Sequence, residues 1–146
     1  MKKIVLASSN QGKLREFQDI FQSSQVELLP QSELGVLDAD ETGLSFVENA
    51  IIKARNASLT TGLPSLSDDS GIEVDALKGA PGIYSARYAG AEGKEADTAN
   101  NRKLIEALIN VPDPQRTARF QCVIVYMRHA EDPTPLICQG TWEGII

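Results

Sequence analysis

An apolar run, Lys3-Ile-Val-Leu-Ala7, opens directly onto Ser8-Ser9-Asn10-Gln11-Gly12-Lys13. A strand that stops at small hydroxyl and amide side chains and then starts a helix gathers free backbone N–H groups, a positive helix end and an ammonium at one point. Such a point suits a polyphosphate. The same Ser/Asn pattern also serves as an ordinary helix N-cap, and the turn alone leaves both readings open. The second group is Asp68-Asp69, followed by Ser70-Gly71. Adjacent side chains of an extended strand point to opposite faces, so both acids reach one ligand only if the chain bends there. Ser70-Gly71 is the expected bend, and a hydrogen-bonded Asx turn without a ligand is the plainer alternative.

Two carboxylates facing a phosphate repel it unless a divalent cation stands between, and hard oxygen donors of this kind suit Mg²⁺. Glu41, in the acidic loop Leu37-Asp-Ala-Asp-Glu-Thr-Gly43, is a candidate third ligand, directly or through water, or else a solvated loop charge. The reaction these groups fit is hydrolysis of a phosphoanhydride. One carboxylate takes a proton from water while Mg²⁺ and Lys13 absorb charge on the phosphoryl oxygens. Lys53 is either a further cleft residue beside Glu48 and Asn49 or an exposed helix lysine. His129 follows a long strand and reads as a surface residue. Tyr84, Arg87 and Tyr88 suit a pocket or a dimer interface, the interface slightly better.

The chain has 146 residues, 42% of them hydrophobic, enough for one real core. With 14 basic and 20 acidic side chains its net charge of -6 argues against broad attraction to nucleic acid, so an anion needs a local site. Cys122 and Cys138 sit in strand-like runs and predict a buried thiol pair in a reducing compartment, with no zinc framework. The apolar run after Met1 is too short for a signal peptide core, and no run has the length of a membrane span. The expected location is the cytoplasm. Gly140 to Ile146 stop inside a strand-like run, which raises the expectation of a C-terminally incomplete domain.

These groups need elements to carry them. Leu14, Phe17, Ile20 and Phe21 recur at helical spacing after the first strand, and Val26 to Leu29, closed by Pro30, reads as a second strand. Ser45 and Glu48 form a capping-box pattern before a helix whose Phe46, Ala50, Ile51, Ala54 and Ala57 make a buried stripe ending near Thr61-Gly62. Pro64 to Leu66 reads as a short strand that breaks at Ser67–Gly71, with Ile72 to Asp75 resuming it. Gly79 to Gly90 is a long punctuated loop. A third helix starts near Asp97 or Thr98 and turns Leu104, Ile105, Leu108 and Ile109 inward. Thr117 to His129 is a long strand, Glu131 to Pro135 its turn, and Leu136 to Trp142 its antiparallel partner. The sum is an α/β protein with a mixed sheet flanked by helices.

Four stretches in order resemble the inosine triphosphate pyrophosphatase family: Leu6 to Leu14, Glu41 to Ala50, Ser67 to Gly71 and Gly79 to Tyr88. The resemblance implies hydrolysis of noncanonical purine nucleoside triphosphates (dITP, ITP and XTP) to the monophosphate and pyrophosphate, with Mg²⁺, by a homodimer of two lobes around a central cleft. It implies triphosphate binding by Ser8, Asn10 and Lys13, with Ser9, Gln11 and Gly12 filling the loop between them. Asp69 matches the proton acceptor and metal ligand, Asp68 and Glu41 the neighbouring acids, and Ser70 a substrate contact. The family pattern continues with a Phe-Gly-Tyr-Asp-Pro segment, a lysine and a Ser-His-Arg element that hold the base, and none of these occurs here. Two alternatives stand beside this reading. A Maf-type nucleotide pyrophosphatase shares the opening Leu-Ala-Ser but continues Ser-Pro-Arg-Arg, where this chain has Asn10 and Lys13. A non-catalytic nucleotide-binding fragment is the other.

Overall fold

A computed structural model describes all residues, 1–146. Its five strands are β1 (Lys2–Leu6), β2 (Val26–Pro30), β3 (Ser65–Val74), β4 (Thr117–Met127) and β5 (Leu136–Ile145). The helices are α1 (Gln11–Phe21), α2 (Phe46–Thr61) and α3 (Ala96–Ala107). The strands form one sheet in the order β2-β1-β3-β4-β5. β1 runs parallel to β2, with Leu6 opposite Pro30, and parallel to β3, with Leu6 opposite Leu66. Contacts between Arg119 and Glu143, Phe120 and Trp142, and Gln121 and Thr141 run in opposite order along β4 and β5, the signature of an antiparallel pair. The sheet is therefore mixed, as the sequence predicts.

The chain packs as two compact units. The first comprises Met1–Asp69 and Val123–Cys138. Here strand alternation sorts side chains onto two faces. Ile4, Leu6, Leu28 and Leu66 meet Leu14 and Phe17 of α1, with Ile124 and Tyr126 beside them. Val123, Val125 and Met127 meet Ala50 and Ala54 of α2, and Val5 and Ala7 meet Ala57. Helices on both faces explain why β1 is a continuous apolar run and not an alternating one. Ile20, assigned to the α1 stripe by its spacing, is 69% exposed, because the stripe is narrower than a four-residue reading allows.

The second unit comprises Ser70–Cys122 and Gln139–Ile146. Val74, Leu104, Leu108 and Ala118 form its core, joined by Ile72, Leu77, Tyr88, Val111 and Ile146. Ile105 and Ile109, expected inside, are exposed: α3 ends at Ala107 and only Leu104 and Leu108 lie inward. The long loop is not loose. Gly82–Arg87 form a 3₁₀ helix, and Asn100 of α3 donates to Ala86 O (3.0 Å) and accepts from Ala89 N–H (2.8 Å). Lys103 Nζ donates to Tyr88 O at 2.8 Å and stands 4.3 Å from the Tyr88 ring centroid.

Two further expectations change. Cys122 is half-buried and Cys138 exposed, so they are not a buried pair, since β5 presents both of its sides to solvent. β3 runs unbroken through Ser67–Gly71, where the sequence suggests a break. The small polar residues there are strand residues with buried partners.

Candidate functional site

β1 leads through α1 to β2 on one side, and β2 leads through α2 to β3 on the other. The connections thus diverge between β1 and β3, beyond the carboxyl end of β1. In open α/β sheets this is where ligands bind. The turn Ser8–Asn10 leaves β1 at this point, and β3 continues past its last pairing with β1 to bring Asp68 and Asp69 there.

α1 starts as a helix with a side-chain cap. Asn10 Oδ1 accepts from Lys13 N–H at 3.1 Å, and Ser8 Oγ accepts from Asn10 N–H at 3.1 Å. Asn10 is therefore a true N-cap, and the N–H groups of Gln11 and Gly12 have no acceptor within the helix. Both sequence readings of the turn describe the same geometry. Ser9 is tied sideways: its hydroxyl donates to Asp38 Oδ1 (2.7 Å) and accepts from Gln31 Nε2–H (3.1 Å). Gln31 and Asp38 escape a reading by residue type. The register could have found Gln31, which follows Pro30, the partner of Leu6 at the end of β1.

Asp68 and Asp69 obey strand alternation. Leu66 and Asp68 face α1, and Lys13 Nζ lies 2.7 Å from Asp68 Oδ2. Ser65, Ser67 and Asp69 face α2. Ser65 Oγ donates to Ala54 O (2.7 Å) and Ser67 Oγ to Ala50 O (2.5 Å), bonds that only small residues at close approach can make. This clasp holds Lys53, beside Ala54, with Nζ 3.5 Å from Glu41 and 3.8 Å from Asp69. Lys53 is thus ion-paired with two of the candidate acids and is not a free surface lysine.

Glu41 is positioned from α2. Ser45 caps the helix as predicted, its Oγ accepting from Glu48 N–H at 3.3 Å and donating to Glu48 Oε2 at 2.6 Å, while the Glu48 carboxylate reaches back to Leu44 N–H (3.2 Å) and not to Ser45 N–H. Asn49, 1% exposed, accepts from Gly43 N–H (2.8 Å) and donates to Gly43 O (3.3 Å). A Cβ on Gly43 would fall 2.6 Å from Glu48 Cβ, so the acidic loop reaches this anchor only through glycine.

The three carboxylates do not close into a complete cage by themselves. No cluster of three His, Cys, Asp or Glu side chains is close enough to hold a metal alone. Alternation separates Asp68 from Asp69, and Lys53 stands between Asp69 and Glu41. Yet Asp68 Oδ1 and Asp69 Oδ2 are buried with no hydrogen-bond partner. Burial first, then Glu41 and Asp68, lifts the Asp69 carboxyl above the ordinary aspartate range against the pull of Lys53 and Lys13. Two unpartnered buried acceptors and an acid raised by burial mark this as the candidate functional site. Ser70 follows Asp69 in β3 and is half-buried, and His129 is exposed, as the sequence suggests.

Several known proteins are similar to this chain. A dITP/XTP pyrophosphatase of Thioalkalivibrio sulfidiphilus is 62% identical over 144 residues, 99% of this chain and 72% of the relative. One from Escherichia coli O157:H7 is 57% identical over 146 residues, all of this chain and 73% of the relative. Among solved structures, a HAM1 protein from Coxiella burnetii superposes with a TM-score of 0.91 at 49% identity, covering all of this chain and 73% of its own. The Staphylococcus aureus Ham1 protein gives 0.83 at 41% identity, covering 99% and 72%. The Ham1 family model matches residues 4–146, nearly the whole chain, and with the fold and the relatives it places this protein in the Ham1 family.

Proposed function

We propose that this chain hydrolyses noncanonical purine nucleoside triphosphates (dITP, ITP and XTP) to the monophosphate and pyrophosphate. The observation that carries the reading is the pair of buried, unpartnered carboxylate oxygens within β3, just beyond the carboxyl end of β1, flanked by Lys13 and Lys53. The names of the relatives support the substrate class.

The donor set fits Mg²⁺. Three carboxylates against two ammonium groups leave one net negative charge, so a triphosphate needs an accompanying cation. Mg²⁺ binds through one or two carboxylates together with substrate phosphates and keeps several waters, which requires no complete protein cage. Asp68 and Asp69, with Glu41, would hold it, and when bound it supplies neutralisation of the phosphoryl oxygens.

The protein's own residues supply the rest. N–H groups of the Ser8–Gly12 turn and the Ser8 hydroxyl bind phosphate oxygens, and the Lys13 ammonium swings from Asp68 to the incoming anion. Asp69, its carboxyl raised above the ordinary range by burial, accepts the proton of the attacking water. The water oxygen bonds to phosphorus, the bond between the α and β phosphates breaks, and its electron pair leaves on the bridging oxygen. Lys53 keeps Asp69 ionised enough to serve as base. Ser70 contacts substrate. A homodimer in the cytoplasm belongs to the same proposal, and sedimentation and fractionation test it.

Pyrophosphate release from ITP is the direct assay. Asp69→Asn is expected to lower it roughly 10²- to 10⁴-fold with the fold intact, and a variant that stays active refutes the role. Preference for dTTP or UTP over dITP would favour the Maf-type alternative.

A further inference from the structure

The turn that reads as a phosphate cradle contains two serines in different hydrogen-bonding states. A hydroxyl has one proton to give. Ser8 Oγ acts as acceptor toward Asn10 N–H, which leaves its proton available. Ser9 has already given its proton to Asp38 Oδ1 at 2.7 Å, and its lone pair receives Gln31 Nε2–H. The same Gln31 amide donates to Asp38 Oδ1 at 2.7 Å, closing a three-membered ring of bonds. Gln31 is 3% exposed and therefore fixed. The segment that carries Asp38 is pinned as well, Val36 N–H donating to Gln31 O (3.1 Å) and Asn56 Nδ2–H to Leu37 O (2.9 Å).

We propose that Asp38 is a positioning residue that holds the Ser9 hydroxyl as its own donor, so that Ser9 fixes the turn while its side chain makes no bond to the triphosphate. The proposal rests on the triphosphate reading of the site and deepens it. It assigns phosphate binding in this turn to Ser8 Oγ–H and to backbone N–H groups, and gives Ser9 a tethering role. A carboxylate beside an anion site is otherwise unfavourable, and its use as a double acceptor explains its presence there.

The alternatives predict opposite signs. If Ser9 served as a phosphate donor, Asp38→Ala would free its hydroxyl and remove a repelling charge, and binding would tighten. If Asp38 tethers the turn, Asp38→Ala weakens binding. The test is calorimetric titration of the whole chain with inorganic tripolyphosphate and Mg²⁺, with ITP turnover of the wild type measured in parallel. Asp38→Ala and Ser9→Ala are each expected to raise Kd roughly three- to tenfold. The double variant is expected to be no worse than either single one, since both cut the same tether. Asp38→Asn, which keeps the acceptor oxygen and drops the charge, is expected to bind at least as well as wild type. Rescue by asparagine would assign the role to the acceptor oxygen and not to the charge. Binding by Asp38→Ala at or above wild-type strength, additive effects in the double variant, or no tripolyphosphate binding by the wild type overturns the proposal. Intact tripolyphosphate binding without ITP turnover counts against the hydrolytic reading alone.

Discussion

Lys13 Nζ lies 2.7 Å from Asp68 Oδ2, so the ammonium proposed to meet a triphosphate rests on a carboxylate whose side chain is 5% exposed. Removing Lys13 strands that charge. Lys13→Met is expected to destabilise the fold by about 1–3 kcal/mol, below the cost of a fully buried pair because Lys13 is partly solvated. Urea unfolding measures it. Adding Asp68→Asn should restore most of the loss, and a double variant as unstable as the single one would show that the pair is not the cause.

Asp69 has a raised pKa, caused first by burial. A raised acid favours the fold while protonated. Its contribution is complete below the unfolded aspartate pKa and is lost as pH rises through the folded value. Asp69→Asn lacks this loss, so the melting temperature of the variant relative to wild type should climb from acid to neutral pH. A difference that is flat with pH contradicts the assignment.

Asp132 carries the opposite sign. Arg128, bonded to it at 2.6 and 2.9 Å, and the Arg128 and Thr134 backbone N–H groups hold its carboxyl well below the ordinary range. Such a group stabilises above the unfolded pKa and loses its contribution as pH falls through the folded one. Asp132→Asn should therefore cost stability at neutral pH and progressively less in acid. Thermal melts at pH 7 and pH 3 give the comparison.

Gly43→Ala places a methyl 2.6 Å from Glu48 Cβ and 2.7 Å from Asn49 Oδ1. The expected cost is about 1–3 kcal/mol. Because Gly43 anchors the loop bearing Glu41, turnover should fall more than stability explains, which activity measured well below the melting temperature detects.

Much of the site was legible from residue type. The small polar turn after β1 caps α1, Ser45 caps α2, and Lys13 of the turn meets Asp68 of the acid pair. β3 was misread as broken because the polar run from Ser67 looks like a loop until Ala50 and Ala54 are set against Ser67 and, on the same face, Ser65. Their hydroxyls bond helix carbonyls that no local window contains. The Ser9–Asp38–Gln31 ring escaped for the same reason: it joins residues up to 29 positions apart, and only the β1–β2 register brings them together. Ile20, Ile105 and Ile109 carry the right period but lie just outside the narrow stripes that face the sheet.

The unbroken β3 has a consequence for how such a protein can vary. Since residues 66 and 68 serve one helix and 65, 67 and 69 the other, inserting or deleting one residue ahead of Asp68 exchanges the acids between lysines and drives Leu66 toward the wrong partner. Side-chain replacement along this segment is graded in its effects. A change in its length is all or nothing.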